Sequence, residues 1–367
     1  MPSRKLSVFA LATSLILSLA FALPAGASPR ADSPQTYTVL VGWENPHQGI
    51  DINSYFPRSL SIHVGDTVHW VLNANEIHTV TFPSNALPPP ILPSALVPGA
   101  NPSFSPVVFV PAAITPVVPA GGQFNGSGFV NSGIMGHDPG QIPDFSLTFT
   151  AVGTSKYACI IHGTMMSGEI KVVNDEQPVP SPNQAASEGR REIAAALAQV
   201  PAVQREASTQ IVPPVDNANG TTSFTVRLGY SKDVNVDGSQ VSIDLMQFFP
   251  DKLVVRPGDH VTFMLSPKTD APHTVTFLNG EPEPPLAVFH LGFLYVNPLV
   301  VFPSPLPPTP LTRTGIFNSG LLVPGTPNTS FSFTIGDMSP GIQPFLCQIH
   351  DTSGMQGKLI VVPKSGK

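Results

Sequence analysis

Two short segments of this chain carry a cysteine, a histidine and a methionine at close spacing: "YACIIHGTMMSGEIKVV" at 157–173 and "FLCQIHDTSGMQGKLIVV" at 345–362. In the second, His350 follows Cys347 by three residues and Met355 follows it by eight. In the first, His162 follows Cys159 by three residues, and Met165 and Met166 come next. A soft thiolate, two imidazoles and a weak thioether are the ligand set of a blue-copper electron-transfer site. One loop between two strands can supply the thiolate, one imidazole and the thioether, so a second imidazole must come from elsewhere. The two "HTVTF" segments supply it, as His78 and His273. Cys159 and Cys347 are the only two cysteines, and in a secreted chain they could instead form one disulfide.

The elements that must position these residues repeat along the chain. "YTVLVGW" at 37–43 matches "FTVRLGY" at 224–230, and "SLSIHVGDTVHWVL" at 59–72 matches "KLVVRPGDHVTFML" at 252–265. "IHTVTF" then pairs with "PHTVTF", "FVNSG" with "IFNSG", "SLTFT" with "SFSFT", and last the two cysteine segments, in the same order. Each copy is a series of short runs rich in Val, Ile, Thr and Phe between Gly-Asp, Pro-Gly or Gly-Thr turns, with almost no helical period. The fold class is therefore all-β, two Greek-key β-sandwich domains at 36–175 and 222–363. The linker, 176–221, holds the one helical stretch, with Ile193, Leu197 and Val200 on one stripe. Pro201 should kink or end that helix, and the stripe should dock on one domain. Proline-rich insertions at 83–122 and 279–314 lie between the HTVTF strand and the NSG turn; their apolar content favours ordered caps.

Comparison of the copies sorts the ten histidines. His78 matches His273 and His162 matches His350, whereas His47, His63, His69, His137, His260 and His290 have no histidine counterpart and read as ordinary surface or core residues. Aligning "MSGEI" with "MQGKL" selects Met166 over Met165 as the counterpart of Met355 and leaves the first loop one residue shorter.

At these residues the chain resembles the cupredoxins, the plastocyanin and azurin family of small blue-copper proteins, as two of them in tandem. The likeness covers both copies apart from the linker and insertions. It implies a copper ion in each domain, held by His78, Cys159, His162 and Met166 and by His273, Cys347, His350 and Met355. By the same resemblance His162 and His350 lie near an apolar surface through which electrons pass, and His78 and His273 are more buried. Family members commonly have Asn after the first histidine, where this chain has Thr79 and Thr274; threonine can make a related hydrogen bond between the ligand loops.

Residues 1–27 read as a secretory signal, with a basic start, a short apolar run and the small residues Ala25, Gly26 and Ala27. Removing Arg4 and Lys5 with it leaves 16 basic against 24 acidic side chains, a net charge of −8 that argues against nucleic acid as a partner. The expected protein is extracytoplasmic, without stable membrane insertion, and passes electrons to an unidentified redox protein. Copper enzymes built from such domains need further ligands, as His-x-His pairs and histidines flanking the cysteine. Here Ala158 and Leu346 precede the cysteines and no His-x-His occurs, so a carrier and not an enzyme is expected. Storage or delivery of copper would use the same ligands and is the alternative.

Overall fold

The computed structural model describes residues 33–86, 115–138, 140–290, 293–305 and 309–364. The signal segment and most of the first proline-rich insertion lie outside the described residues. The chain is all-β apart from the linker helices and a few short helical turns. In its first half, strands Ser59–His63, Gly163–Val173, Gly153–Cys159, Thr81–Phe82 and Val130–Asn131 form one sheet in that spatial order. Strands Lys252–Val255, Gln356–Val361, Gly341–Leu346, Thr276–Phe277 and Phe317–Asn318 form the matching sheet of the second half, in the matching order. Each sheet faces part of a third, and a separate apolar core fills each gap. Trp70, Tyr157 and Phe82 centre the first core, and Phe248, Phe263, Phe277 and Phe345 the second. Edge-to-face contacts such as Trp70 with Tyr157 and Phe248 with Phe345 order these rings.

The third sheet is continuous through both halves, with ten strands. Its halves join where Ile50–Phe56 pairs antiparallel with Ser239–Phe249, setting Asp51 opposite Asp244, Asn53 opposite Ser242, and Ile52 opposite Ile243. Alternation along these strands gives the junction two different faces. Ile50, Ile52, Ile243, Leu245 and Tyr230 point one way, into a cluster with Ile193, Ala196, Val200, Val203 and Ala207. Those last five come from helices α1 (Pro182–Leu197) and α2 (Val200–Ser208). The linker stripe thus docks on strands of both halves, not on one domain as the sequence suggested, because the continuous sheet offers it a single apolar floor. Ser181 caps α1 in a capping box with Gln184, and the chain breaks at Ala198–Gln199 so that Pro201 sits in the first turn of a second helix, where its missing N–H costs nothing. The opposite face of the junction is polar: register sets Glu44, Asp51, Asp244 and Ser231 in one row across four strands.

The turns behave as their sequences imply. Gly65 and Gly258 adopt φ of +90° and +96°, and Asp66 and Asp259 accept backbone N–H groups from His63 and Arg256 at 2.9 and 2.7 Å.

Candidate metal centres

Each strand histidine is held on both sides of its peptide. His78 exchanges N–H and C=O bonds with Met135, and His273 does the same with Leu322. The repeated NSG turn pins the following residues. Ser132 Oγ accepts from the Val80 N–H and Ser319 Oγ from the Val275 N–H, both at 2.8 Å. The Thr81 and Thr276 hydroxyls donate to Asn131 and Asn318 at 3.0 Å. Cys159 ends one strand and Cys347 follows another, so each cysteine enters its loop from a fixed sheet.

These elements bring the chosen side chains together twice. In the first half, His78 Nδ1 and His162 Nδ1 are 3.2 Å apart, and Cys159 Sγ lies 4.0 and 3.5 Å from them. In the second, His273 Nδ1 and His350 Nδ1 are 3.1 Å apart, and Cys347 Sγ lies 3.8 and 3.5 Å from them. Among the described residues these are the two groups of three or more His, Cys, Asp or Glu whose donor atoms converge within 4.8 Å. A metal in the plane of two nitrogens and one sulfur, at bond lengths of about 2.0–2.3 Å, separates those donors by about 3.5–3.8 Å. The N₂S triangles are close to that size, and their donors are the soft and borderline types that copper takes. Both cysteines are free, so the disulfide alternative does not form.

Met166 and Met355 are fully buried in their respective cores, whereas Met165 is 39% exposed. That difference agrees with the alignment that paired Met166 with Met355. The Met355 amide donates to His350 O, and the Cys347 amide to Met355 O, which closes the second loop on itself.

Thr79 and Thr274 tie the ligand loops together. The Thr79 hydroxyl accepts from the Ile160 N–H and the Thr274 hydroxyl from the Gln348 N–H, both at 2.8 Å. Their own amides point at the sulfurs, Thr79 N to Cys159 Sγ at 3.4 Å and Thr274 N to Cys347 Sγ at 3.3 Å. Such contacts orient a ligand and tune its electron density.

Burial sets the protonation of the metal-free centres. It drives His78 and His273 well below the ordinary imidazole range, aided by His162 and His350. It also takes His162 down to about 4 and His350 to about 3. The Cys159 thiol is raised and the Cys347 thiol pushed up to about 11 by the same desolvation. Neutral imidazoles are therefore ready to ligate, and each thiol must give up its proton to do so.

Sequence reasoning missed two supporting features. Gly42 and Gly229 sit at bulges in their strands with φ of +70° and +68°. A Cβ there would fall 2.6 Å from His78 Nε2 and 2.2 Å from His273 Nε2, so no side chain fits behind the histidine. The signal was visible as the repeated glycine in "LVGW" and "RLGY". The second feature had no local signal: His162 and His350 line the same cavity, of about 240 Å³, between the halves, together with Glu76, Asp244 and Met165. Leu286, Val296 and Val300 of the second insertion also line it, so that insertion caps the cavity. Of the histidines set aside, His63 is buried and bonded to Gln177 O at 2.8 Å, and His69 faces Asp144 at 3.5 Å. Neither joins a donor cluster.

No protein-family model matches the sequence, and no curated protein matches it. Among solved structures the chain is similar to an oxidised plastocyanin from Dryopteris crassirhizoma, with 18% identity, 38% of this chain and 99% of that one covered, and a TM-score of 0.21. It is also similar to a reduced amicyanin mutant in which a tyrosine replaces a tryptophan, with 17% identity, coverage of 41% and 92%, and a TM-score of 0.21. The Cu(I) form of another amicyanin mutant, with an alanine in place of a methionine, matches at 20% identity, with coverage of 32% and 74% and a TM-score of 0.19.

Proposed function

We propose that each half of the chain, 36–175 and 222–363, is a domain that holds one copper ion and exchanges single electrons with an external redox protein. His78, Cys159, His162 and Met166 would hold one ion, the imidazoles and thiolate as strong donors and the thioether as the weak one. His273, Cys347, His350 and Met355 would hold the other. The observation that carries this reading is the N₂S triangle, which occurs twice with nearly the same dimensions. Copper bound there supplies a one-electron couple between Cu(II) and Cu(I). The protein's part is to keep the donors fixed and dry: the two cysteines, His78 and His273 are all fully buried. Little then has to move when the electron does.

The first loop is the better docking point for a partner. His162 is only half-buried, and Thr164 and Met165 beside it are exposed, whereas His350 is 2% exposed. The carrier reading, in preference to an enzyme, rests on the sequence, with no His-x-His and with Ala158 and Leu346 before the cysteines. Residues 1–27 as a signal would put the protein outside the cytoplasm, and no helix among the described residues is long and apolar enough to cross a membrane. The storage or delivery alternative requires the ion to leave. Full burial of the thiolates favours its retention.

The test is repeated chemical reduction and reoxidation of the copper-loaded protein in the presence of a Cu(I) chelator. A blue band that returns fully over several cycles supports electron transfer. Loss of copper to the chelator on the first reduction would replace it with delivery.

A further inference from the structure

The polar face of the sheet junction is enclosed, which is unusual for so many carboxylates. Asp51 is 0% exposed, Asn53 2% and Asp244 6%, with Ser231 and Ser242 also buried. Asp51 and Asp244 stand directly opposite each other, and like charges in that relation repel. Glu44 extends the row on one side, and Glu76, 8% exposed, reaches in from the loop before His78. Among the described residues no Lys or Arg pairs with Asp51 or Asp244.

The hydrogen bonds leave oxygens over. Asp244 accepts from Asn53 Nδ2 at 2.6 Å, from Ser242 Oγ at 3.3 Å and from the Ser231 hydroxyl. Neither oxygen of Asp51 has a partner of ordinary geometry, the Ile52 amide beside it acting only weakly. Asn53 Oδ1 is likewise buried without a partner, on a side chain that lines the cavity with Asp244 and Glu76. A protonated Asp51 could donate to that amide oxygen but would leave its own second oxygen without a donor, whereas a cation can take all three orphan oxygens at once. Burial first, and then the charges of Glu76, Asp244 and Glu44, push the Asp51 carboxyl well above its ordinary range. A positive charge is what the site lacks.

We propose that Asp51, Asn53 and Asp244 bind one hard divalent cation of the calcium or manganese class between the halves of the molecule. All its donors are oxygens, which separates it from the nitrogen and sulfur centres on either side. Because Asp51 and Asn53 come from the first half and Asp244 from the second, the cation bridges the pair of strands that joins them. The proposal does not depend on copper occupying the other centres.

The test is a manganese titration of the full mature chain after chelator treatment, following loss of the free Mn²⁺ paramagnetic signal, with calcium as competitor. The expected result is one Mn²⁺ per chain, displaced by calcium, and a melting temperature raised by calcium. Cys159→Ser and Cys347→Ser should bind it unchanged, which separates this site from the copper centres. Asp51→Asn and Asp244→Asn should each weaken it by at least the roughly 10- to 100-fold that loss of a supporting group costs a metal site. Asn53→Leu should weaken it too, and near-ultraviolet circular dichroism checks that the variants fold. Wild-type protein that takes up no manganese or calcium at millimolar concentration would overturn the proposal. So would binding that survives both aspartate substitutions in folded protein, or that disappears with the cysteines.

Discussion

Behind the first candidate metal centre, His78 Nε2 is buried with no hydrogen-bond partner, and Ala74 stands four residues before it. Behind the second, His273 Nε2 meets the hydroxyl of Thr269, four residues before it, at 3.1 Å. The loop histidines differ in the same direction. His350 Nε2 lies 3.8 Å from Glu76 of the other half, whereas the residue two before the second strand histidine is Ala271, so His162 has no carboxylate in the corresponding place. The second loop is also locked against the first half, with Asn75 Nδ2 donating to Thr352 O at 3.2 Å, Ser353 Oγ to Glu44 at 3.3 Å, and Gly354 against the Pro46 carbonyl. The two centres thus share donors and differ in what the other face of each imidazole touches. Outer contacts of that kind set how strongly a ligand donates, so the two proposed copper ions would sit at different potentials.

The comparison breaks most completely at the glycines. Gly229→Ala should abolish the second centre's spectrum and lower stability by more than about 1 kcal/mol, because it adds both a clash with His273 and a strained φ. Gly42→Ala should do the same to the first centre. Absorption spectra and thermal melts of the copper-loaded variants check both, and each variant should leave the other band in place.

Glu76→Gln sharpens the comparison without removing a ligand. Its carboxyl is pushed up to about 8 by burial, then by Glu44, so at pH 9 it carries its charge. A carboxylate about 4 Å from Nε2, and so roughly 8 Å from a metal on Nδ1 of the same ring, favours the more positive metal by on the order of 0.5–2 kcal/mol. Potentiometry at pH 9 should show the second centre's potential raised and the first unchanged. Equal shifts at both centres would mean that the asymmetry lies elsewhere.

The pH dependence of the metal-free protein gives a smaller effect. A carboxyl raised in the folded state adds stability below its unfolded value, and that stability is lost as pH rises through the folded value. Glu76 goes from 4.5 to about 8, Asp244 from 3.8 to about 6, and Asp51 well above 3.8. The buried histidines act the opposite way, losing their contribution as pH falls below 6.5 toward the values of about 4 and 3 held by His162 and His350. A unit above pH 6.5 the histidines are nearly all neutral in both states, so stability should fall from pH 7.5 to 8.5 as Glu76 ionises. Denaturant unfolding across that range measures it, and Glu76→Gln should flatten the slope. The smallest expected change is from Thr269→Ala, which makes the second centre resemble the first. It should cost about 1 kcal/mol and shift only the second potential.

How much of this was legible in the sequence follows from how local each signal is. Cys347, His350 and Met355 fall within one loop, so spacing alone groups them, and the repeat finds His78 and His273 because each opens the same five-residue segment. Asp51 and Asp244 belong to no motif and to no matched pair of the repeat. Their meeting depends on one half pairing with the other, which no short window of sequence encodes. The helical stripe was readable from Ile193, Leu197 and Val200, but not that its floor spans both halves, for the same reason. Gly42 and Gly229 were visible as matched letters, but the clash they avoid needs coordinates.

The most direct measurement is copper counting with electron paramagnetic resonance on the reconstituted mature protein, alongside Cys159→Ser and Cys347→Ser. The expected result is two coppers per wild-type chain with a blue absorption band, and one copper with about half the band in either variant, the two remaining signals differing from each other. Wild-type protein that binds no copper, or stays colourless with it, would contradict the assignment of both centres.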